Sequence, residues 1–134
     1  MDLHLSGRFR IISIMIDTLT NDAVVPSIKA IAEPIRIRIL LVLGEQEACV
    51  CELMELFGMA QSKLSHHLIT LRDAGFLEDD KRGKWNYYRI NPRVLTPVNR
   101  ELLAVLSRLL TDDATIERDR KKLESVKERM QICC

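Results

Sequence analysis

The sequence predicts an α+β fold that is mostly helical, with one small β-hairpin set among the helices. Three observations carry this. Apolar residues recur at helical spacing along much of the 134-residue chain. Two helix-sized stretches separated by a glycine follow one another across 49–73. Two strand-like runs, 76–80 and 85–90, flank Lys81-Arg82-Gly83-Lys84, a glycine-containing hairpin turn. The length suits one compact unit, and a composition of 47% apolar and 29% charged residues excludes a disordered chain. The longest apolar runs, 39–43 and 11–15, fall far short of the roughly 20 residues that span a bilayer.

The elements follow in order. Phe9, Ile12, Ile16 and Leu19 predict an amphipathic helix over 8–20. Turn formers and a proline occupy 21–26, after which Ile28, Ile31 and Ala32 resume the helical pattern until Glu33-Pro34 interrupts it. Pro34 suits the first turn of a new helix over 35–43, apolar nearly all round except at Arg36 and Arg38 and stopped by Gly44. A helix over 49–57 places Val50, Leu53, Leu56 and Phe57 on one face, and Gly58 separates it from a helix over 60–73. With the hairpin behind it, this is the pattern of a winged helix-turn-helix with a two-stranded wing. From 93 to 110, Val94, Val98, Leu102, Val105 and Leu109 form a stripe too apolar for water, which predicts pairing with a second copy. The domain reading is therefore a winged helix-turn-helix and dimerisation unit over 1–110, dimerising through its N- and C-terminal helices. A charged helical tail over 111–134 follows it.

The helix over 60–73 has an inside and an outside. At about 100° per residue, Leu68 and Leu71 fall within roughly 40° of Leu64, while Ser62, His66 and Ile69 lie opposite. Gln61, Ser62, Lys63, Ser65 and His66 all offer hydrogen-bond donors and none repels phosphate, which suits a major groove. Lys81, Arg82 and Lys84 at the hairpin add charges that would meet the phosphate backbone. His67 sits near the apolar edge and reads as a packing or hydrogen-bonding residue, and Trp85, Tyr87 and Tyr88 as wing packing. The net charge of +1 decides nothing about nucleic acid; its distribution does.

Four cysteines stand as a Cys-x-Cys pair, Cys49 and Cys51, and a vicinal pair, Cys133 and Cys134. The N-terminus carries Asp2, His4 and Asp17 and no small-residue cleavage site, so a cytoplasmic, reducing location is expected, with the thiols available to a metal or to redox chemistry. In a regular helix, residues two apart point about 200° away from each other. The two cysteines therefore cannot converge, and one ion gripped by both must unwind or distort the start of the helix over 49–57, which positions the next helix.

Two stretches, Ile28-Lys29-Ala30-Ile31-Ala32-Glu33-Pro34-Ile35-Arg36-Ile37-Arg38-Ile39-Leu40 and Gln61-Ser62-Lys63-Leu64-Ser65-His66-His67-Leu68, closely resemble the ArsR/SmtB metalloregulators. The resemblance continues through Leu71-Arg72-Asp73-Ala74-Gly75 and the segment Lys81 to Arg89, and covers roughly residues 26 to 92. Glu47-Ala48-Cys49-Val50-Cys51-Glu52-Leu53 is similar to the arsenic-responsive branch. The resemblance implies a homodimeric repressor on double-stranded operator DNA, displaced by As(III) or Sb(III) at cysteine thiolates. Two positions depart from the family pattern: Met54 stands where many relatives carry a third cysteine, and Ala60 where a capping serine is common.

Trivalent arsenic commonly takes three sulfurs, which leaves Cys49 and Cys51 one short. If helical, 111–131 spans on the order of 30 Å, enough to carry Cys133 and Cys134 across a small dimer. The vicinal pair could equally form its own site, or a small external thiol or hydroxide could complete the first. The zinc-sensing branch uses carboxylates and histidines on its C-terminal dimer helix, and 93–110 contains no His and no Asp. Rival readings are a regulator of the same fold sensing cadmium, lead or thiol oxidation, or a thiol-based metal carrier or oxidoreductase. No thioredoxin-like βαβ pattern, phosphate-cradling glycine loop or acid/base pair supports an enzyme, and no catalytic cofactor is expected.

Overall fold

The computed structural model describes residues 24–130. The helix expected over 8–20 lies outside the described residues, as do Cys133 and Cys134. Six helices and three strands follow in the order α1 (Val25–Ala30), α2 (Pro34–Leu43), β1 (Ala48–Cys49), α3 (Val50–Phe57), α4 (Gln61–Asp73), β2 (Glu78–Arg82), β3 (Trp85–Arg89), α5 (Pro97–Leu109) and α6 (Ala114–Met130).

The helix boundaries have local causes. Pro34 opens α2, where a missing N–H costs nothing, after Glu33 in extended backbone. Gly58, at φ 58°, caps α3 in the left-handed region and gives the sharp turn into α4. Thr96 caps α5 by accepting from the Asn99 N–H, with Pro97 in the first turn, so this helix starts four residues later than the stripe suggests. Phe76 and Leu77, expected in a strand, instead drop into the core beneath the hairpin, where they are almost completely buried.

The hairpin is tighter than expected. Arg82 pairs with Trp85, so the loop is Gly83-Lys84 alone and Lys81 and Arg82 belong to β2. Gly83 has φ 63° and no non-glycine residue among those described has positive φ, the arrangement in which glycine takes the first position of a primed two-residue turn. The expected two-stranded wing is joined by a third strand. β1 pairs antiparallel with β3, Ala48 opposite Tyr88 and Cys49 opposite Tyr87, giving the order β1-β3-β2. Two residues are too few to leave a periodic signal in the sequence.

The core gathers Ile39, Leu40, Leu53, Leu64, Leu68 and Phe76 from α2, α3, α4 and the segment before β2. Leu123 of α6 belongs to the same cluster. The charged stretch after 111 thus forms a long helix packed on α2 and α3, with Ile116, Leu123 and Val126 buried. Arg38 clasps Asp119 with two bonds of 2.7 and 2.9 Å across that contact. No helix among the described residues is long and apolar enough to cross a membrane.

Candidate nucleic-acid interface and sulfur pair

Helix α4 buries Leu64, Leu68 and Leu71 completely. Its other side shows Gln61, Ser62, Lys63 and His66 exposed and Ser65 half-buried, with no carboxylate before Asp73. Ala60 at the N-cap of α4 offers no side-chain cap to the first N–H groups of the helix. All five expected groove-facing residues are thus at least partly accessible, and none carries a negative charge.

Two buried polar clusters fix that surface from behind. Arg36 on α2 donates from Nε to His67 Nδ1 at 3.2 Å, from Nη1 to the Ala30 carbonyl at 3.1 Å and from Nη2 to Glu33 at 2.7 Å. His67 is thus a buried hydrogen-bonding residue, and burial holds its imidazole below the usual pKa. Asn99 on α5 accepts from Ser27 Oγ at 2.5 Å and donates to the carbonyl of Ala74, the cap of α4, at 2.8 Å. Sequence patterning does not single out Asn99, because one polar residue beside an apolar stripe carries no period. Its partners are 72 positions away and 25 positions away, so only the folded chain brings them together.

Lys81, Arg82 and Lys84 are all exposed on the wing, but they are not equivalent. Arg82 forms a two-pronged pair with Glu47 at 2.7 and 2.8 Å, a bond to Asp80 at 3.0 Å, and stacks over the Tyr87 ring at 4.3 Å. Its guanidinium is occupied within the fold. Lys84 rests 5.1 Å above the Trp85 ring, and neither it nor Lys81 forms an ion pair among the described residues.

The sulfur pair lies at the start of the helix-turn-helix, where β1 meets α3 beside the wing strand β3. Cys49 is not the first residue of a helix; it ends β1 and caps α3 with φ −84° and ψ 163°. Its extended backbone turns the side chain back over the first turn, and its Sγ lies 2.9 Å from that of Cys51. The expected divergence of the two cysteines is therefore corrected: they converge without any unwinding of α3. Glu52 Oε1 accepts from the Cys49 N–H at 2.9 Å and from Lys127 Nζ of α6 at 3.1 Å. Cys49 is fully buried, and burial raises its thiol above the ordinary pKa, with the Glu52 N–H opposing this and the Glu52 carboxylate reinforcing it. Cys51 carries a disulfide, so ligand chemistry at this pair belongs to the reduced chain. Among the described residues no group of three or more His, Cys, Asp or Glu could hold a metal ion. Met54 is half-buried against the core.

The signature of bacterial regulatory proteins of the arsR family matches residues 33–79, from the start of α2 into β2. Over 110 residues the chain is 36% identical to the arsenic resistance transcriptional regulator ArsR2 of Pseudomonas putida, covering 79% of this chain and 93% of that protein. The chain belongs to the arsR family. It is also 46% identical over 67 residues to ArsR1 of the same organism, a match covering 49% of this chain and 52% of that relative's length. Among solved structures it is similar to HlyU from Vibrio cholerae, at a TM-score of 0.57 and 30% identity over 66% of this chain and 91% of that one. The arsR family is one of winged helix-turn-helix transcriptional regulators and not of enzymes.

Proposed function

We propose that this arsR-family chain is a homodimeric repressor that holds operator DNA through α4 and the wing, and releases it when As(III) or Sb(III) binds Cys49 and Cys51. The observation that carries the reading is the 2.9 Å approach of the two sulfurs at the cap of α3, the helix whose turn leads directly into α4. Soft thiolates select soft ions. The relatives named for arsenic resistance support arsenic as the inducer.

Binding would act through the cap. An ion at roughly 2.3 Å from each sulfur spreads the pair beyond its present spacing. Cys49 is enclosed, so it can move only by loosening its pairing with Tyr87, its bond to Glu52, or both. Each of those contacts positions the start of α3, and a shift there is passed through the turn at Gly58 to α4. A third sulfur from Cys133 or Cys134 belongs to the same proposal. Lys127 touches Glu52, and Cys133 lies only three residues past Met130, within about 10 Å of extended chain.

Dimerisation is proposed through α5 and the N-terminal helix expected over 8–20. On α5 and the segment before it, Val94, Val105 and Leu109 are 62, 36 and 69% exposed, an apolar surface that a second copy would cover. The test is a gel-shift titration of the reduced protein on DNA from its own upstream region, with sedimentation to count protomers. Binding that arsenite reverses supports the reading; binding indifferent to arsenite and antimonite removes the sensing half.

A further inference from the structure

We infer that Ile69 is a specificity-determining residue that reads a thymine methyl group in the major groove, an inference that rests on the DNA-binding reading above. On α4 the residues opposite the buried Leu64 and Leu71 are Ser62, His66, Ile69 and Asp73, all within about 30° of the opposite direction at 100° per residue, and Ser62, Ile69 and Asp73 form one line along the helix spanning about 40°. Ile69 is 41% exposed, the one large apolar side chain on the outer face of this helix. An exposed isoleucine alone means little. Its position gives it meaning: around the helix it falls between Ser65 and Ser62, on the face that Ser62, Ser65 and His66 make polar, and it stands one turn beyond Ser65 and His66 along the axis.

The neighbours narrow its partner. The Thr70 hydroxyl is turned back onto the His66 carbonyl at 2.9 Å, so it does not compete for a base edge. One turn beyond Ile69 the line reaches Asp73, whose carboxylate is paired with Arg72 at 3.3 Å and is a charge that phosphates repel. The surface that can enter the groove therefore ends at Ile69, and its last contact is apolar and β-branched. The thymine C5-methyl is the apolar group that a base edge presents in the major groove. A hydrogen-bonding edge would leave Ile69 facing an unpaired polar atom.

The experiment begins with a random duplex library selected by the reduced wild-type protein. In the enriched duplex each thymine is then replaced singly by deoxyuridine, which removes the methyl and nothing else. One position, repeated by symmetry if two copies bind, is expected to weaken binding about fourfold, the effect of losing one buried methyl. Ile69→Ala should bind the thymine and uracil duplexes equally while keeping the wild-type salt dependence. Indifference of the wild type to every thymine-to-uracil change overturns the role of Ile69 and leaves DNA binding standing. An Ile69→Ala variant that still distinguishes thymine from uracil also overturns it. Failure to enrich any duplex overturns both readings.

Discussion

Lys127 Nζ lies 3.1 Å from Glu52 Oε1, joining the last turns of α6 to the first turn of α3, and the same oxygen accepts the Cys49 N–H. One carboxylate thus serves the cap of the helix-turn-helix, the sulfur pair and the charged C-terminal helix. Glu52 is 9% exposed at its side chain, so it finds its hydrogen bonds among these partners.

Replacing Glu52 by Ala is expected to destabilise the fold by about 2 kcal/mol, because it strips a helix cap and strands a partly buried lysine. Lys127→Met, which keeps the aliphatic stem and leaves Glu52 its bond from the Cys49 N–H, should cost less. Urea unfolding of both variants checks the order, and equal losses would place the stabilisation elsewhere.

His67 confers a pH dependence. Burial lowers its pKa, against the pull of Glu33, while Arg36, His66 and Lys63 reinforce the lowering. The unfolded chain, at about 6.5, then takes up a proton that the folded chain refuses. Stability from this group is complete above that value and is lost as pH falls below it. Thermal unfolding at pH 7.5 and 5.5 should show a drop in wild type that His67→Gln reduces, since Gln keeps an acceptor for Arg36 without a titrating ring.

At the sulfur pair, Cys49→Ser and Cys51→Ser should each retain DNA binding in a gel shift and lose release by arsenite. Deleting Cys133 and Cys134 should weaken arsenite affinity. X-ray absorption on the arsenite-loaded protein, counting three sulfurs in wild type and two in the deletion, is the direct measure.

The wing cations should separate by salt dependence. Removing Lys81 or Lys84 is expected to lower the slope of binding against salt by about 1 if each neutralises one phosphate. Arg82→Ala should change that slope less, because Glu47 and Asp80 already hold its guanidinium. A larger slope change for Arg82 would mean that it leaves both carboxylates on DNA.

Much of this architecture was legible in advance because its signals are local. Leu64, Leu68 and Leu71 declare the buried face of α4 by spacing alone, and Pro34 and Gly58 mark where helices begin and end through restrictions on their own backbone. The surface residues Gln61, Ser62, Lys63 and His66 follow from the same wheel. The helical geometry assigned to Cys49 reversed the expected relation of the two cysteines, because a single residue at a boundary carries no period.

The sequence by itself therefore determined the helix-turn-helix, the hairpin and the polar face between them, since periodicity and turn chemistry act over a few residues. Only the tertiary structure decided that Cys49 stands in a strand beside Tyr87, that Arg82 is held by Glu47, and that Asn99, Arg36 and Lys127 tie distant helices together. Those outcomes depend on where buried polar groups find partners, and a hydrogen bond between residues far apart in the chain leaves no trace in the spacing of either one.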